Sequence, residues 1–456
     1  MKTKILKRQC YFISLTILLL FGCSKFLDEK PDAALSVPET LEDLDQLMHN
    51  ESPINRSFPS LMESGSDDYY VKSNVLKSRN EAEQLIYSWT ISLERTDLAS
   101  WNSPYNAIMI ANIVLEGLDR IKGGSVEERD RIRGEALFAR AFAFYYLAQI
   151  FCLPYDAQNK SNDLGLPLRT SSDFAVTFER ATMGETYDFI ITDLSEAIRL
   201  LPEKARFKSW PSKAAANALM ARLYLVMGNY KKSNEFATNA LSYNKTLLDY
   251  NTINKELKIP FAVGHDEIIY YAFCSNGYLL AANRSFVPKE LYFLYHEDDL
   301  RRELFFTVGG TGDILFKGNY DGVGGSYFAG MAIDELYLIR AECEIREGET
   351  ERGLTLLNTL LRSRFKKGSY TEIKNLNGEQ ALNLALLERR KELLRRGVRW
   401  TDLRRLAGED STIRYRKADD GEENTEYKFE LKKASYVYPI PEKILNMYPY
   451  RQNALN

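Results

Sequence analysis

The chain has 456 residues, of which 60 are basic and 63 acidic, for a formal net charge of −3. With 45% hydrophobic and 27% charged residues it has the composition of a globular protein with a large core, which excludes general disorder. The balanced charge provides no global positive field for nucleic acid, and three dispersed histidines disfavour histidine-based metal or acid–base chemistry.

The N-terminus has the pattern of a bacterial lipoprotein signal. A basic start precedes an uncharged, mostly apolar run from Tyr11 to Gly22, which is too short to span a bilayer. Gly22 is the small residue that signal peptidase II needs before a cysteine, so residues 1–22 are predicted to be removed and Cys23 to be lipidated. Residues 23–40 would form the lipidated tether. An ordinary secretory signal with a coincidental cysteine is the alternative.

Two capping boxes open long helical patterns further along the chain. The first, Ser125–Glu128, precedes a helix that is apolar almost all round from Ala141 to Phe151, so this helix is predicted to be buried on more than one side. The second, Thr182–Glu185, opens an amphipathic helix that Pro202 should end.

Two stretches carry the tetratricopeptide pattern of paired helices. The first has Ala221 and Gly228 with the aromatic residue Tyr224 between them. In the second, Ala341 and Gly348 occupy the equivalent positions 120 residues later. Small residues let two helices approach closely, and glycine permits the tight turn between them. Two matched copies and two degenerate helix pairs predict a mainly α fold with an α-solenoid scaffold.

The predicted organisation places a single domain at residues 41–456. Its last helix pair begins with a charged helix from Glu379 to Arg396 that stops at Gly397. The helix pairs are predicted at about residues 100–150, 182–243, 331–365 and 379–405.

Loop-rich inserts are predicted at about residues 50–100 and 245–330. Eight of the 26 glycines lie between Gly309 and Gly330. The second insert contains short β-like runs at Glu267–Phe273, Leu304–Val308 and Asp313–Phe316. These features predict irregular loops and β-hairpins that form a ligand face on the helical scaffold.

No catalytic motif is specific enough to indicate an enzyme. The glycines at 309–312 lack the Gly-Lys-Ser/Thr of a phosphate loop, and Ser363-x-x-Lys366 lacks the accompanying motifs of penicillin-binding enzymes. No pair of acids is singled out by its spacing, and no calcium-loop pattern is present. These absences disfavour an enzyme without excluding one, and no cofactor or metal site is predicted.

A basic run spans Arg389 to Arg405, with eight basic residues against two acids. Taken alone, it has the composition of a nucleic-acid patch. However, Glu388 and Glu392 lie within helical reach of several of these basic side chains, which favours a salt-bridged structural face.

The stretch from Glu388 to Arg405 resembles the C-terminal signature of the SusD/RagB family. It reads E-R-R-x-E-L-x-x-R-G-x-R-W-x-D-L-R-R. The resemblance covers nearly the whole chain. Other stretches that agree, in the same order, are Phe26–Asp28, Trp101–Asn112, Arg133–Ala141, Ser212–Ala215, Ala221–Tyr224, Glu335–Glu342 and Pro439–Pro441.

This resemblance implies a surface-exposed nutrient-binding lipoprotein of the cell outer membrane. Such a protein captures an oligosaccharide and delivers it to a SusC-type TonB-dependent β-barrel transporter, without making or breaking a bond. The helices commonly face the transporter, and the opposite, loop-built face holds the ligand. The alternatives are the same scaffold binding a peptide or another nutrient, a tetratricopeptide assembly scaffold without a small ligand, and a lipid-anchored hydrolase.

Candidate ligand contacts follow from the chemistry of sugars, which offer flat C–H faces and many hydroxyl groups. Their sites pair aromatic platforms with hydrogen-bonding side chains. The loop-borne candidates in the first insert are Asp67, Asp68, Tyr69, Tyr70 and Trp89. Those in the second insert are Tyr278, Asn283, Arg284, Phe286, Tyr320 and Tyr327.

Overall fold

The computed structural model describes residues 37–56, 58–275, 277–419 and 424–455. The predicted signal peptide, the lipidation site Cys23 and most of the predicted tether lie outside these residues. The described residues from Leu41 onward form one compact unit. None of the helices described here combines the length and the apolar character needed to cross a membrane.

The described residues confirm a mainly α fold. The helices are α1 Leu41–Met48, α2 Glu51–Asn55, α3 Leu61–Ser64, α4 Ser73–Lys77, α5 Glu81–Tyr87, α6 Leu98–Arg120, α7 Val126–Phe151, α8 Met183–Leu200, α9 Lys213–Val226, α10 Tyr230–Tyr243, α11 Lys289–Tyr292, α12 Arg301–Leu304, α13 Ile333–Arg346, α14 Thr350–Arg362, α15 Gly378–Glu392, α16 Arg399–Arg405 and α17 Glu442–Met447.

The strands are short and pair only in small antiparallel sheets within the described residues. They are β1 Leu164–Pro167, β2 Arg180–Thr182, β3 Ile268–Tyr270, β4 Phe273–Ser275, β5 Phe286–Val287, β6 Phe306–Val308, β7 Ile314–Phe316, β8 Ser326–Phe328, β9 Met331–Ala332, β10 Tyr415–Asp419 and β11 Asn424–Lys428. The pairs are β1–β2, β3–β9, β4–β8 and β10–β11, and β7 lies between β5 and β6 in the one three-stranded sheet.

The C-terminal two thirds of helix α7 are buried throughout, as the apolar sequence predicts. The Ser125 hydroxyl accepts a hydrogen bond from the Glu128 amide at 3.1 Å and starts the helix. Every residue from Gly134 to Phe151 is buried, because α6 and α8 pack against this helix. The second predicted capping box is complete, with the Glu185 amide donating to Thr182 and the Thr182 amide to Glu185.

The predicted tetratricopeptide repeats are confirmed as two matched helix pairs. Helices α9 and α10 form the first pair, α13 and α14 form the second, and α10 packs against α13. Each pair turns at a glycine in the left-handed region, with φ of 69° at Gly228 and 90° at Gly348. Stacking of one pair on the next buries the apolar face that a single pair would expose.

The charged C-terminal helix differs from its predicted bounds. Helix α15 ends at Glu392, four residues before the predicted Arg396. Arg395, three residues beyond this end, has a left-handed φ of 60°, which is incompatible with a helix that continues to Arg396. Gly397 has a φ of 69°, and α16 then begins at Arg399.

The inserts are more ordered than their sequences predict. Helices α2 to α5 lie within residues 50–100, where irregular loops and β-hairpins are predicted. The three β-like runs of the second insert coincide with β3, β4, β6 and β7. Loop residues between these short elements line the cleft described next.

Candidate ligand-binding cleft

A cleft of about 1110 Å³ opens among the described residues. Four parts of the chain form its walls: residues 67–72, residues 288–294, the tip of the β6–β7 hairpin, and the C-terminal region from α15 to β11. These parts are distant in sequence. The cleft therefore exists only when the two inserts and the C-terminal region are folded together.

A short backbone bridge brings the walls together. The Tyr70 amide donates to the Phe286 carbonyl at 2.9 Å, and the Phe286 amide donates back at 2.8 Å. The next residue, Val71, is bridged to Ala418 of β10. Residues 70 and 71 thus connect the second insert to the C-terminal hairpin, and they carry the Tyr70 side chain to the cleft.

Helix α15 supplies one wall through helical spacing. Leu382, Leu386 and Arg390 follow one another at steps of four residues and all line the cleft. Asn383 and Leu387 do the same on the adjoining row. The wall therefore offers apolar surface together with an exposed amide and a guanidinium group.

Asp67 is the centre of an ion cluster in this wall. Arg399 donates to both carboxylate oxygens, from Nε at 2.6 Å and from Nη2 at 2.8 Å. Arg390 and Arg414 each approach the same carboxylate at 3.3 Å. Burial alone would raise the pKa of Asp67, but these three guanidinium groups outweigh it and hold the pKa well below its usual range.

Asp313 closes the opposite side of the cleft. Its carboxylate accepts hydrogen bonds from the Tyr70 hydroxyl at 2.8 Å, from Lys72 at 3.0 Å and from Thr311 at 2.7 Å. Burial would raise the pKa of Asp313, but these hydrogen bonds lower it overall. Asp313 thereby fixes the half-buried ring of Tyr70 beside Phe286, with a centroid distance of 5.5 Å.

Three of the predicted ligand contacts, Asp67, Tyr70 and Phe286, therefore lie together at the cleft, Phe286 through its contact with Tyr70. Asp68 is 1% exposed and accepts from Arg390 at 2.8 Å, behind the surface that Asp67 presents. Tyr69 touches the lining but is itself 1% exposed.

Four predicted aromatic contacts are packed against buried arginines and are themselves almost fully buried. Arg416 lies over the rings of Tyr69 and Trp89, at 4.5 and 4.2 Å from their centroids. The other two are Tyr327, 5.5 Å from Arg395, and Tyr320, 4.3 Å from Arg396. In this conformation the four rings present almost no surface to a ligand.

The remaining candidates lie at a second, smaller pocket of about 420 Å³ or near it. Tyr278 lines this pocket, and its ring contacts two guanidinium groups, those of Arg79 and Arg284, each at 3.9 Å. Asn283 is exposed and lines neither cavity. Hence the predicted residues that are exposed do not all lie at one site.

Several cleft residues lie outside the predicted set. Tyr415 is 48% exposed on β10, and Thr412 and Asn383 add a hydroxyl and an amide. Tyr415 lies on the exposed face of β10, whose residues are alternately exposed and buried, but the sequence of this strand does not alternate between apolar and polar residues and gives no signal for it. Arg390 and Asn383 give no signal either, because a charged helix face looks the same whether it borders a cleft or open solvent.

The predicted salt-bridged structure of the basic run is confirmed, and the run is largely buried. Arg389 pairs with Asp402 at 2.9 Å, and Arg405 pairs with Glu342 at 2.6 Å. Arg404 differs, since it donates to backbone carbonyls. The other pairs are Arg390–Asp68, Lys391–Glu388, Arg395–Glu63, Arg396–Asp334 and Arg399–Asp67. These charges hold the region behind the cleft together and leave no broad positive face there.

One group of potential metal ligands occurs in the described residues, at Asp45, His49 and Glu135, away from the cleft. The two imidazole nitrogens face Asp45 at 3.3 Å and Glu135 at 3.2 Å, and Arg131 pairs with both carboxylates. Burial lowers the pKa of His49, but the hydrogen bonds to the two carboxylates outweigh it and raise the pKa to about 9. This arrangement is that of a protonated imidazole in an ion-pair cluster.

Comparison with known families gives matches over two parts of the chain. Residues 25–225 match a SusD-like model described as "starch-binding associating with outer membrane". Residues 330–454 match the model of the SusD family.

A curated relative, a SusD-like protein of Bacteroides ovatus, is 25% identical over 332 residues, which are 70% of this chain and 56% of the relative. The chain thus spans little more than half the length of that relative. Among solved structures, a SusD-like carbohydrate binding protein from Bacteroides vulgatus has a TM-score of 0.71 at 18% identity, covering 92% of this chain and 100% of the other. A laminarin binding SusD-like protein has a TM-score of 0.66 at 17% identity, covering 91% and 99%. These likenesses agree with the fold described above.

Proposed function

We propose that this chain, which belongs to the SusD/RagB family, binds an oligosaccharide in the cleft without cleaving it. The observation that carries the proposal is the cleft itself. It is about 1110 Å³ in volume and combines the Tyr70 and Tyr415 rings with hydroxyl, amide and guanidinium groups. Cavities of this size accommodate several sugar units, and this mixture of groups matches their surface.

The contacts that the cleft offers suit the two kinds of surface on a sugar. Tyr70, with Phe286 beside it, and Tyr415 present aromatic faces or edges to the flat C–H surfaces of pyranose rings. Asn383 and Thr412 are exposed at the cleft and are able to donate to and accept from hydroxyl groups. We further propose that Tyr278, Asn283 and Arg284 contact the glycan at a second surface, separate from the cleft.

The names of related proteins support a carbohydrate ligand. One family model is described as starch-binding, and two structural neighbours are described as carbohydrate binding and laminarin binding. We extend this ligand class to the present chain as part of the proposal. The delivery step is also proposed: lipid on Cys23 anchors the protein to the outer membrane, and a SusC-type transporter receives the bound glycan.

Binding and the absence of cleavage are tested together by affinity electrophoresis. Purified protein lacking residues 1–23 is run through gels containing starch, laminarin, xylan or mannan, with bovine albumin as the non-binding control. Retardation in at least one gel is the expected result. Each polysaccharide that is retained is then incubated with the protein and analysed by chromatography. Release of shorter oligosaccharides would contradict the non-catalytic assignment, and no retardation on any glycan would contradict the proposed ligand class.

The anchor and the partner are tested in the native membrane. Tagged full-length protein is isolated from detergent-solubilised outer membranes, and co-purifying proteins are identified by mass spectrometry. The expected partner is a stoichiometric TonB-dependent transporter. The Cys23→Ala variant should lose both labelled palmitate and membrane association. A variant that still carries palmitate would contradict lipidation at this residue.

A further inference from the structure

The charges that line the cleft are balanced. Among the described residues of its walls, eight side chains are acidic and eight are basic. We propose that the ligand is a neutral oligosaccharide, in preference to one that carries uronic acid carboxylates or sulfate esters. This inference rests on the proposed glycan-binding function and specifies the substrate class of the same cleft.

The guanidinium groups most able to bind an anion are already engaged. Arg399 makes a bidentate contact with Asp67, which leaves neither oxygen of that carboxylate free of a cation. Arg390 shares its donors between Asp67 and Asp68. Arg414 pairs with Asp67 and Asp410. An incoming carboxylate or sulfate would compete with these acids for their arginines.

The same compensation occurs across the cleft. Lys72 donates to Asp313 at 3.0 Å, and the same carboxylate also accepts hydrogen bonds from the hydroxyl groups of Tyr70 and Thr311. Beside it, Lys289 and Glu290 are adjacent and both exposed at the cleft. No described part of the wall therefore offers a cluster of positive charge without an acid nearby.

A charged ligand group would lose more in this environment than it gains. It must shed its hydration shell, and the field of each arginine is cancelled by the carboxylate beside it. A sugar hydroxyl has the opposite property, because it donates to a carboxylate oxygen and accepts from a guanidinium group at the same time. Ion pairs on a wall are thus good partners for a neutral polyol, through charge-assisted hydrogen bonds that leave the pairs intact.

The test compares neutral and anionic polysaccharides on the same protein. The neutral probes are starch, laminarin, xylan and mannan, and the anionic probes are polygalacturonate, alginate, carboxymethyl starch and sulfated laminarin. The expected result is that the protein binds at least one neutral probe and binds the charged derivative of that glycan at least about ten-fold more weakly. Its dissociation constant for the neutral glycan should change less than about two-fold between about 0.05 and 0.5 M NaCl.

The outcomes separate the inference from the function on which it rests. Binding of only anionic probes, or equal binding of a glycan and its sulfated derivative, would overturn the neutral-ligand inference while glycan binding stands. Binding of no probe at all would overturn the proposed function and the inference with it.

A charge variant tests the physical cause. Asp410 lies at the partly exposed edge of the cleft and pairs with Arg414. Asp410→Asn should strengthen binding of sulfated laminarin by about three-fold or more, because the guanidinium group of Arg414 then loses one of its two carboxylate partners. The control, Glu196→Gln, removes the same charge on α8 beside Arg199, outside the cleft lining, and should have no effect. An equal response of the two variants, or no response of either, would contradict charge compensation as the cause.

Discussion

At the scale of single residues, buried arginines determine which aromatic rings are available to a ligand. Arg416 occupies the faces of Tyr69 and Trp89, whereas Tyr70, the next residue along the chain, reaches the cleft. The cation–π contacts are formed with arginines more than 300 residues further along the chain, so no local pattern distinguishes the two adjacent tyrosines. Of the predicted aromatic contacts, only those exposed at the cleft are therefore suitable for testing ligand binding by substitution.

The first prediction concerns Tyr70. Tyr70→Ala should weaken binding of a retained polysaccharide by about ten-fold, or about 1.4 kcal/mol, because an aromatic face at the cleft is lost. Tyr70→Phe keeps the ring and loses only the hydrogen bond to Asp313, so its affinity should stay within about three-fold of the wild type. Isothermal titration calorimetry measures both. Tyr243→Ala, which removes a ring that is 40% exposed outside the cleft, is the matched control.

The second prediction concerns the ion pairs behind the cleft. Glu392 is 1% exposed and accepts from Arg301 at 2.9 Å and from Arg364 at 2.8 Å. Glu392→Gln should lower the free energy of unfolding by about 3 kcal/mol, because two buried guanidinium groups lose their shared charge partner. Urea unfolding measures this change. Glu372→Gln breaks ion pairs at an exposed site and should leave the midpoint unchanged; equal effects of both variants would contradict the account.

The third prediction concerns pH. Burial raises the pKa of Glu63 from 4.5 to about 7, against the lowering influence of Arg395 and the Gly397 amide. Because the pKa is higher in the folded state, the associated stability is complete below pH 4.5 and is lost as the pH rises towards 7. The stability of the wild type relative to Glu63→Gln should therefore fall by about 3 kcal/mol across this interval. Urea unfolding at about pH 4.5 and 8 tests it, and parallel curves for the two proteins would contradict the shift.

At the scale of elements, the glycine in the turn of a helix pair is required for its backbone conformation and not for lack of space. A Cβ on Gly348 would have no heavy atom within 4 Å, yet its φ is 90°. Gly348→Ala should therefore lower the free energy of unfolding by about 1 kcal/mol through left-handed strain and not through a clash. Gly408→Ala is the control, since that site is equally open and its φ lies outside the left-handed region. Chemical denaturation distinguishes them, and equal stability of the two variants would refute the strain argument.

The helix pairs were predictable from sequence because their determinants are local. Capping residues, apolar spacing and turn glycines identify α7 to α10 and α13 to α14 within a few residues. The end of α15 was predicted four residues too late, because the local sequence does not indicate the left-handed conformation of Arg395, whose guanidinium group lies near Glu63 in the first insert. The cleft depends on such distant contacts throughout. Thus the sequence predicts that loop residues of the inserts form the ligand site, but it does not predict that α15 and β10 contribute to it.

At the scale of the whole molecule, the scaffold and the cleft are parts of one structure. The residues that line the cleft come from both inserts and from the C-terminal region, and buried ion pairs join these parts behind it. The matched helix pair α9–α10 contributes nothing to the lining. A ligand in the cleft should therefore protect several distant segments at once and leave this pair unaffected.

Hydrogen exchange with mass spectrometry tests that claim most directly, using a polysaccharide that the protein retains in affinity gels. Slower exchange is expected in peptides covering residues 66–72, 286–294 and 410–419, with no change in residues 213–243. Tyr70→Ala, tested at the same glycan concentration, should show weaker protection at all three segments. Protection of residues 213–243 instead, or binding without protection of any cleft segment, would contradict the assignment of the cleft as the glycan site.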